Sequence, residues 1–397
     1  MGTNNSSGKS AKVDPRILLQ SFAEHGFFRA IGVPDSTLEP FIQVLQTDSR
    51  FRNLIATNEC EAASIAVGEY LGSGRPSFLY LQNSGFGKTI HPITSLLSAE
   101  ILSIPALLLI GWRGCPELSH DEPQHVQMGR IMPALLNAIE VPFEVLPADP
   151  EGIQQAVRKA AASMAERSAP YALIVKPGLF ESGVSSNPAR SSGALTRKEA
   201  LETLVASLPI ETLYVSTTGK TSRELYFIRE AQGQSHESDL YVVGGMGCAS
   251  SIAFGLAQTI RETHPQRLVC AVDGDGAALM QMGSIATIGH HRPANLLHVL
   301  IDNESYESTG GQPTISPTVD FVQVASACGY PWARSCSTQT ELAALLTQAL
   351  QAQGPRLLVV KTNALSDPKL GRPTQTPREN VLGLMKNLGI EPCHKPR

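Results

Sequence analysis

Val272-Asp273-Gly274-Asp275-Gly276-Ala277 ends an apolar strand and opens a helix, and Asp302-Asn303-Glu304-Ser305 follows one strand–helix–strand unit later. The glycines let the backbone approach a diphosphate closely, and a helix start offers it unpaired N–H groups. Asn303 leaves its strand on the same sheet edge as Asp275. The Asp275 carboxylate and the Asn303 amide oxygen are then hard ligands suited to Mg²⁺, with diphosphate and water completing an octahedron. A Gly-Asp-Gly turn alone is an ordinary strand-to-helix turn. The trailing asparagine makes it a cofactor motif.

Outward from this motif, strands and helices alternate along the chain. Helices are expected at 15–25, 38–46, 61–72 and 197–206, and strands at 28–31, 53–56, 77–81, 106–110, 143–146, 172–175, 212–216, 267–272, 297–301 and 356–361. Such alternation implies an α/β fold of parallel sheets flanked by helices. A chain of 397 residues exceeds what one core usually serves. The stretch 181–197, rich in Ser, Gly, Asn and Pro, reads as a linker between two α/β units of similar size. The expected layout is a floppy tail over 1–13, a first domain over 14–180, the linker, and a second domain over 198–397. No residue-level repetition relates the two domains.

Apolar residues make up 42% and charged residues 17%, the balance of a soluble globular chain. A net charge of −4 gives no reason to expect nucleic acid, so a small anionic substrate must meet local cations. The seven cysteines stand singly, without the close pairs of a zinc or redox site, and read as free thiols of a reducing cytoplasm. Residues 1–12 lack the apolar core of a signal peptide, and runs such as 104–110 are too short to span a bilayer. A cytoplasmic chain with no membrane partner is expected.

Gly274-Asp275-Gly276 with Asn303 behind it resembles the thiamine-diphosphate signature of the pyruvate-decarboxylase and acetolactate-synthase superfamily. The resemblance implies a pyrimidine-binding first domain and a diphosphate-binding second domain. It implies Asp275, Asn303 and the Ser305 carbonyl as Mg²⁺ ligands, with Ala277 and Tyr306 also at the cofactor. It also requires a glutamate near a helix start in the first domain, and Glu59 in Asn58-Glu59-Cys60-Glu61-Ala62-Ala63 fits. A buried carboxylic acid there, bonded to the aminopyrimidine, promotes loss of the cofactor's reactive proton. Glu61 is read as structural. Gly244-Gly245-Met246-Gly247-Cys248-Ala249 resembles the family turn in which an apolar side chain, here Met246, bends the cofactor while a Gly244 or Gly245 carbonyl accepts from its amino group. Ser216-Thr217-Thr218-Gly219 resembles the other diphosphate-contacting loop.

Most of the superfamily carries a third domain between these two, and 181–197 is too short for one. Two-domain chains of this length resemble phosphonopyruvate decarboxylases and their sulfopyruvate relatives. The stretches that carry the likeness are Leu81-Gln82-Asn83-Ser84-Gly85-Phe86-Gly87, Ile110-Gly111-Trp112-Arg113-Gly114, Asp121-Glu122-Pro123-Gln124-His125, Glu307 to Thr314, and Leu370 to Thr374. The resemblance implies non-oxidative decarboxylation of 3-phosphonopyruvate to phosphonoacetaldehyde and CO₂, in phosphonate biosynthesis. It also implies a homo-oligomer in which one chain's pyrimidine domain faces another's diphosphate domain. Departures are His91, where Asn is expected, and Asp302, where most of the superfamily has Asn.

A small anionic 2-oxo acid needs donors and cations, arginine above all. Asp35 and Ser36, in Gly32-Val33-Pro34-Asp35-Ser36, are candidates for its carboxylate, with Gln82 and Asn83 on the next loop. Lys88, His91, Arg113, His125 and Arg372 are candidates for the phosphonate. For each, a solvated charge or a capping contact is an equal explanation. Other readings stay open: a sulfopyruvate decarboxylase, an acetolactate-type carboligase, and a non-catalytic thiamine-diphosphate-binding regulatory homologue. The presence of Glu59 speaks against the last.

Overall fold

The computed structural model describes residues 12–118, 121–182, 194–365 and 370–392. The chain divides into two compact units, Met1–Ser186 and Asn187–Arg397. The first unit carries β1 (Arg29–Gly32), β2 (Arg52–Ile55), β3 (Phe78–Gln82), β4 (Leu107–Gly111), β5 (Phe143–Val145) and β6 (Tyr171–Val175). They pair in the order β2-β1-β3-β4-β6-β5, all parallel. Helices cover both faces, so central strands such as β4 and β6 are buried throughout and read as unbroken apolar runs. The helix Pro15–Glu24 buries Leu18, Leu19 and Phe22 on one face, starting at Asp14, whose side chain accepts the Arg16 N–H. On the other face lies the helix Glu59–Ser73, capped by Asn58 and stopped by Gly74 at φ +65°.

The second unit carries β7 (Leu213–Ser216), β8 (Asp239–Tyr241), β9 (Val269–Gly274), β10 (Leu296–Asp302), β11 (Ser305–Tyr306), β12 (Gln312–Pro313), β13 (Trp332–Cys336) and β14 (Arg356–Lys361). Its parallel sheet runs β13-β14-β10-β9-β7-β8, and β11 and β12 form a separate antiparallel hairpin. With that hairpin set aside, the two sheets share one strand order. In each, the winding reverses between the first and third strands, at β1/β3 and at β7/β9. Sheets of this class leave a ligand crevice at the carboxyl ends of such strands.

The structure departs from the sequence reading in a few places. β8 and β13 carry no expectation. Both are edge strands, one of three residues and the other with Arg334 and Ser335 exposed, so neither shows a continuous apolar run. The helix expected from residue 61 starts at Glu59, because Asn58 caps it. Val13, assigned to the tail, is buried and bridges Phe180, its N–H donating to the Leu179 carbonyl at 2.9 Å. Leu195 to Arg197, assigned to the linker, belong to the second unit. Leu195 bridges Thr362, and Thr196 forms a capping box with Glu199 at the start of the helix Arg197–Ser207. The tail over 1–11 and the linker over 183–193 lie outside the described residues.

Candidate active site

At the β7/β9 reversal, two strand ends open onto helices. β7 leads into Thr217-Thr218-Gly219, and the helix Lys220–Ala231 starts after Gly219, at φ +99°, without a side-chain cap. β9 leads into the helix Asp275–Met280, likewise without a side-chain cap. Helix N–H groups left uncapped in this way favour an oxyanion. Thr217 N–H donates to the Val272 carbonyl at 2.8 Å, and Thr218 Oγ1 to the Val243 carbonyl at 2.8 Å. These bonds tie the loop to β9 and to the glycine turn that follows β8. Within that turn Gly245 and Gly247 hold φ +73° and +86°. A Cβ on Gly276 would lie 2.7 Å from the Tyr306 ring and 3.2 Å from Met246 Cε. Met246, Gly276 and Tyr306 therefore converge.

Asp275 is buried, and its Oδ2 accepts from Thr314 Oγ1 at 2.5 Å. Thr314 N–H donates to the Glu304 carbonyl at 3.0 Å, so one threonine links Asp275 to the strand exit that carries Asn303. Burial first, then the charge of Asp302, pushes Asp275 up to about 7. A bound dication would reverse that shift. Asn303 is buried, with Oδ1 accepting from Ser305 N–H at 3.2 Å. The Ser305 hydroxyl oxygen is buried without a hydrogen-bond partner. Asp302 is already engaged, accepting from Ser316 Oγ at 2.7 Å and Lys361 Nζ at 2.6 Å. Its substitution for the usual asparagine is thus matched by a lysine. Among the described residues no group of three or more His, Cys, Asp and Glu could hold a metal. A carboxylate, an amide and a carbonyl suit Mg²⁺, which takes its remaining oxygens from phosphate and water.

In the first unit, β2 leads into Glu59, the first residue of its helix and only 6% exposed. Its Oε2 is buried without a hydrogen-bond partner, and Lys88 Nζ stands 3.7 Å away. A Cβ on Gly85 would fall 2.0 Å from Glu59 Oε1, so this glycine makes the space for the carboxyl group. An orphaned buried oxygen asks for a partner. An aminopyrimidine ring supplies one, so the residues present fit thiamine diphosphate. Glu61 instead accepts from Thr57 N–H at 2.7 Å and Thr57 Oγ1 at 2.6 Å, a capping role.

At the β1/β3 reversal, Asp35 is fully buried against Gly111, with Oδ2 accepting from Thr37 N–H at 3.1 Å and Oδ1 unpartnered. Burial pushes it up to about 6 against the pull of the Thr37 N–H and the Arg113 charge. Arg113 donates through Nη1 to Ser36 Oγ at 3.0 Å and through Nε to Asp121 Oδ2 at 2.8 Å. Asn83 clamps the Arg113 backbone, accepting its N–H at 3.0 Å and donating to its carbonyl at 2.7 Å. Burial would raise Asp121, yet Arg113 and the Glu122 and Gly114 N–H groups hold it well below the usual carboxylate range. Asp35, Ser36, Asn83 and Arg113 thus come together, and a cavity of about 320 Å³ lined by Ser36, Arg113 and Lys12 opens beside them.

His125 is buried, its Nδ1 unpartnered, and burial followed by the Arg113 charge pushes it down, towards neutral imidazole. Gln82 donates to Ser84 Oγ. His91 is exposed and pairs with Ser95 Oγ at 3.2 Å, apart from the cluster, and Arg372 is exposed on the second unit. Asp121 and Thr314 were not nominated from sequence. Their roles depend on partners brought by the fold, although both stand in stretches that carried the family likeness.

Residues 16–131 match the family described as thiamine pyrophosphate enzyme, N-terminal TPP binding domain, and residues 217–360 the corresponding C-terminal TPP binding domain. Fold and site together define a thiamine-diphosphate-dependent enzyme made of two cofactor domains, without evident middle domain. The chain is 39% identical over 369 residues to phosphonopyruvate decarboxylase of Streptomyces viridochromogenes, covering 89% of each chain. It is 38% identical over 382 residues to that of Streptomyces hygroscopicus, covering 92% of each. To sulfopyruvate decarboxylase of Methanosarcina acetivorans it is 28% identical over 302 residues, 70% of this chain and 73% of that one. The chain belongs to the phosphonopyruvate decarboxylase family.

Proposed function

We propose that this chain decarboxylates 3-phosphonopyruvate to phosphonoacetaldehyde and CO₂ with thiamine diphosphate and Mg²⁺. The substrate rests on one observation: 38–39% identity, over 89–92% of the chain, to phosphonopyruvate decarboxylases, against 28% to a sulfopyruvate decarboxylase. Bound thiamine diphosphate supplies the electron sink that lets a 2-oxo acid lose CO₂. Glu59 hands a proton to and from the pyrimidine through Oε2, which has no hydrogen-bond partner and only the longer ion pair to Lys88 at 3.7 Å. Asp275, Asn303 and the Ser305 carbonyl hold the metal. Thr217, Thr218, Gly219, Gly274, Gly276 and Ala277 receive the diphosphate, while Gly244, Gly245, Met246 and Tyr306 seat the rings. Ser36 and Arg113 orient the substrate anion, the guanidinium being preset by Asp121. Asp35, Asn83 and His125 stand close to the guanidinium, Lys88 lies against Glu59 and Gln82 against Ser84, and the exposed His91 and Arg372 rank behind.

The functional unit is a homo-oligomer with active sites between chains. Two helices with exposed apolar residues support this. The helix Ala249–Ile260 has no charged residue and leaves Ile252 exposed, and the helix Glu59–Ser73 leaves Leu71 73% exposed. Cytoplasmic residence is supported by the six of the seven cysteines that lie among the described residues, all of them free. Among the described residues no helix is long and apolar enough to cross a membrane.

The test is aldehyde formation from phosphonopyruvate and, separately, from sulfopyruvate, with thiamine diphosphate and Mg²⁺ present. A preference for phosphonopyruvate that disappears in Glu59→Gln is expected. A sulfopyruvate preference would overturn the substrate and keep the cofactor chemistry. No turnover of either, with cofactor bound, would sink the decarboxylase reading.

A further inference from the structure

A metal-binding asparagine must turn its oxygen, and not its NH₂, towards the cation. In Asn303 both ends of the amide are engaged. Oδ1 accepts from Ser305 N–H at 3.2 Å, and Nδ2 donates to Glu307 Oε2 at 3.4 Å. Glu307 is itself anchored, by Arg197 Nη1 on Oε2 at 2.6 Å and by Lys220 Nζ on Oε1 at 2.7 Å. Arg197 is 5% exposed and spans Glu224 with Nε and Nη2 at 2.8 and 2.9 Å. Lys220 is the first residue of the helix after Gly219, so one carboxylate joins the diphosphate loop to the loop of Asn303.

We propose that Glu307 is a positioning residue for the metal, holding the Asn303 amide with its oxygen turned to the cation. The proposal rests on reading Asn303 as a metal ligand. Among the described residues Arg197 and Lys220 both pair with Glu307, and Arg197 also with Glu224, so the carboxylate that holds the amide is itself held from two sides. Partners that orient a metal ligand typically contribute about 10–100-fold to affinity. The long bond to Nδ2 places Glu307 at the lower end of that range.

The test uses the full chain with saturating thiamine diphosphate and Mn²⁺ in place of Mg²⁺, free Mn²⁺ being counted by electron paramagnetic resonance. Glu307→Gln should weaken Mn²⁺ binding by about tenfold. In Asn303→Asp there is no amide to orient, and Glu307 faces a like charge. Adding Glu307→Gln there should leave affinity unchanged or raise it. Equal weakening in both backgrounds would mean that Glu307 only holds the loop, and would overturn the proposal, as would no change in the single variant. Should Glu307→Gln fail to fold because Arg197 loses a buried counter-charge, Lys220→Met loosens the same carboxylate and carries the same expected contrast. Mn²⁺ affinity unaffected by Asp275→Asn would instead sink the metal-site reading, and the positioning role with it.

Discussion

Asp35→Asn should make the protein more stable and less active. Asp35 is fully buried, accepts one N–H at 3.1 Å through Oδ2, and leaves Oδ1 unpartnered. Burial, partly offset by the Thr37 N–H and Arg113, raises it from its ordinary 3.8 to about 6. The unfolded chain titrates near the lower value and the folded chain near the higher. The native state therefore binds more protons in between, and stability falls as pH rises through that window. Above it the full gap stands, worth about 3 kcal/mol at about 1.4 kcal/mol per pH unit. Asparagine carries no charge at any pH, can keep its oxygen on the Thr37 N–H, and places its NH₂ where Oδ1 lacks a partner. The variant's advantage should be near zero below about pH 4, grow to about pH 6, and level off at up to about 3 kcal/mol. Parallel urea unfolding of both proteins at about pH 4.5 and pH 8 isolates Asp35, since groups common to both cancel in the difference. Decarboxylation should drop by about tenfold or more, because a charge kept at such a cost is kept for the site. A difference independent of pH, or an Asn variant less stable at pH 8, would refute the reasoning.

Glu59→Gln should lower turnover by about 10²–10⁴-fold, the usual worth of an acid–base group, while thiamine diphosphate binding by calorimetry changes little. A loss below tenfold would remove Glu59 from the proton path. Gly276→Ala places a methyl group 2.7 Å from the Tyr306 ring and 3.2 Å from Met246 Cε. It should weaken cofactor binding by calorimetry while the far-ultraviolet circular dichroism stays native. Asp275, buried and raised to about 7, makes the metal-free protein lose stability as pH rises towards that value. Asp275→Asn should flatten that part of the melting profile and abolish the rise in Tm on adding Mg²⁺ with thiamine diphosphate.

What could be read in the sequence was what local chemistry specifies. Asp275, the Gly219 turn and Glu59 sit at strand ends and helix starts, where residue type and backbone conformation are tied together within a few positions. The central strands showed as apolar runs, while the edge strands β8 and β13 did not. The supporting residues were beyond reach because their partners come from other elements. Lys361 neutralises Asp302 only because β10 and β14 pair in parallel with Asp302 opposite Lys361. Glu307 meets Arg197 across 110 positions of chain. Asp121 meets Arg113 only eight residues away, yet nothing in residue type or spacing there announces the pair. His91, one of the phosphonate candidates, sits on the exposed face of its helix and pairs with Ser95, a placement that depends on a helix the sequence did not announce.

The shared strand order explains why no residue-level repeat is visible between the halves and yet both carry the site. A parallel sheet buried on both faces demands apolar runs at the right spacing and leaves the strand ends open to choice. Equivalent ends are accordingly equipped with different chemistry. The second strand of the first unit, β2, leads into Glu59, a carboxyl group on the first residue of a capped helix. Its counterpart β8 leads into the glycine turn of Met246 and an uncapped helix, Ala249–Ile260. The first strand, β1, leads to the buried Asp35 and to Ser36, while its counterpart β7 leads to Thr217-Thr218-Gly219 and bare N–H groups. A helix start attracts negative charge. In the first unit Glu59 brings that charge as a side chain, where it can exchange a proton. In the second unit the helix after Gly219 has neither a side-chain cap nor an acidic residue in its first turn, so that start is open to an anion, while the helix after Gly274 carries the buried Asp275 at its first position.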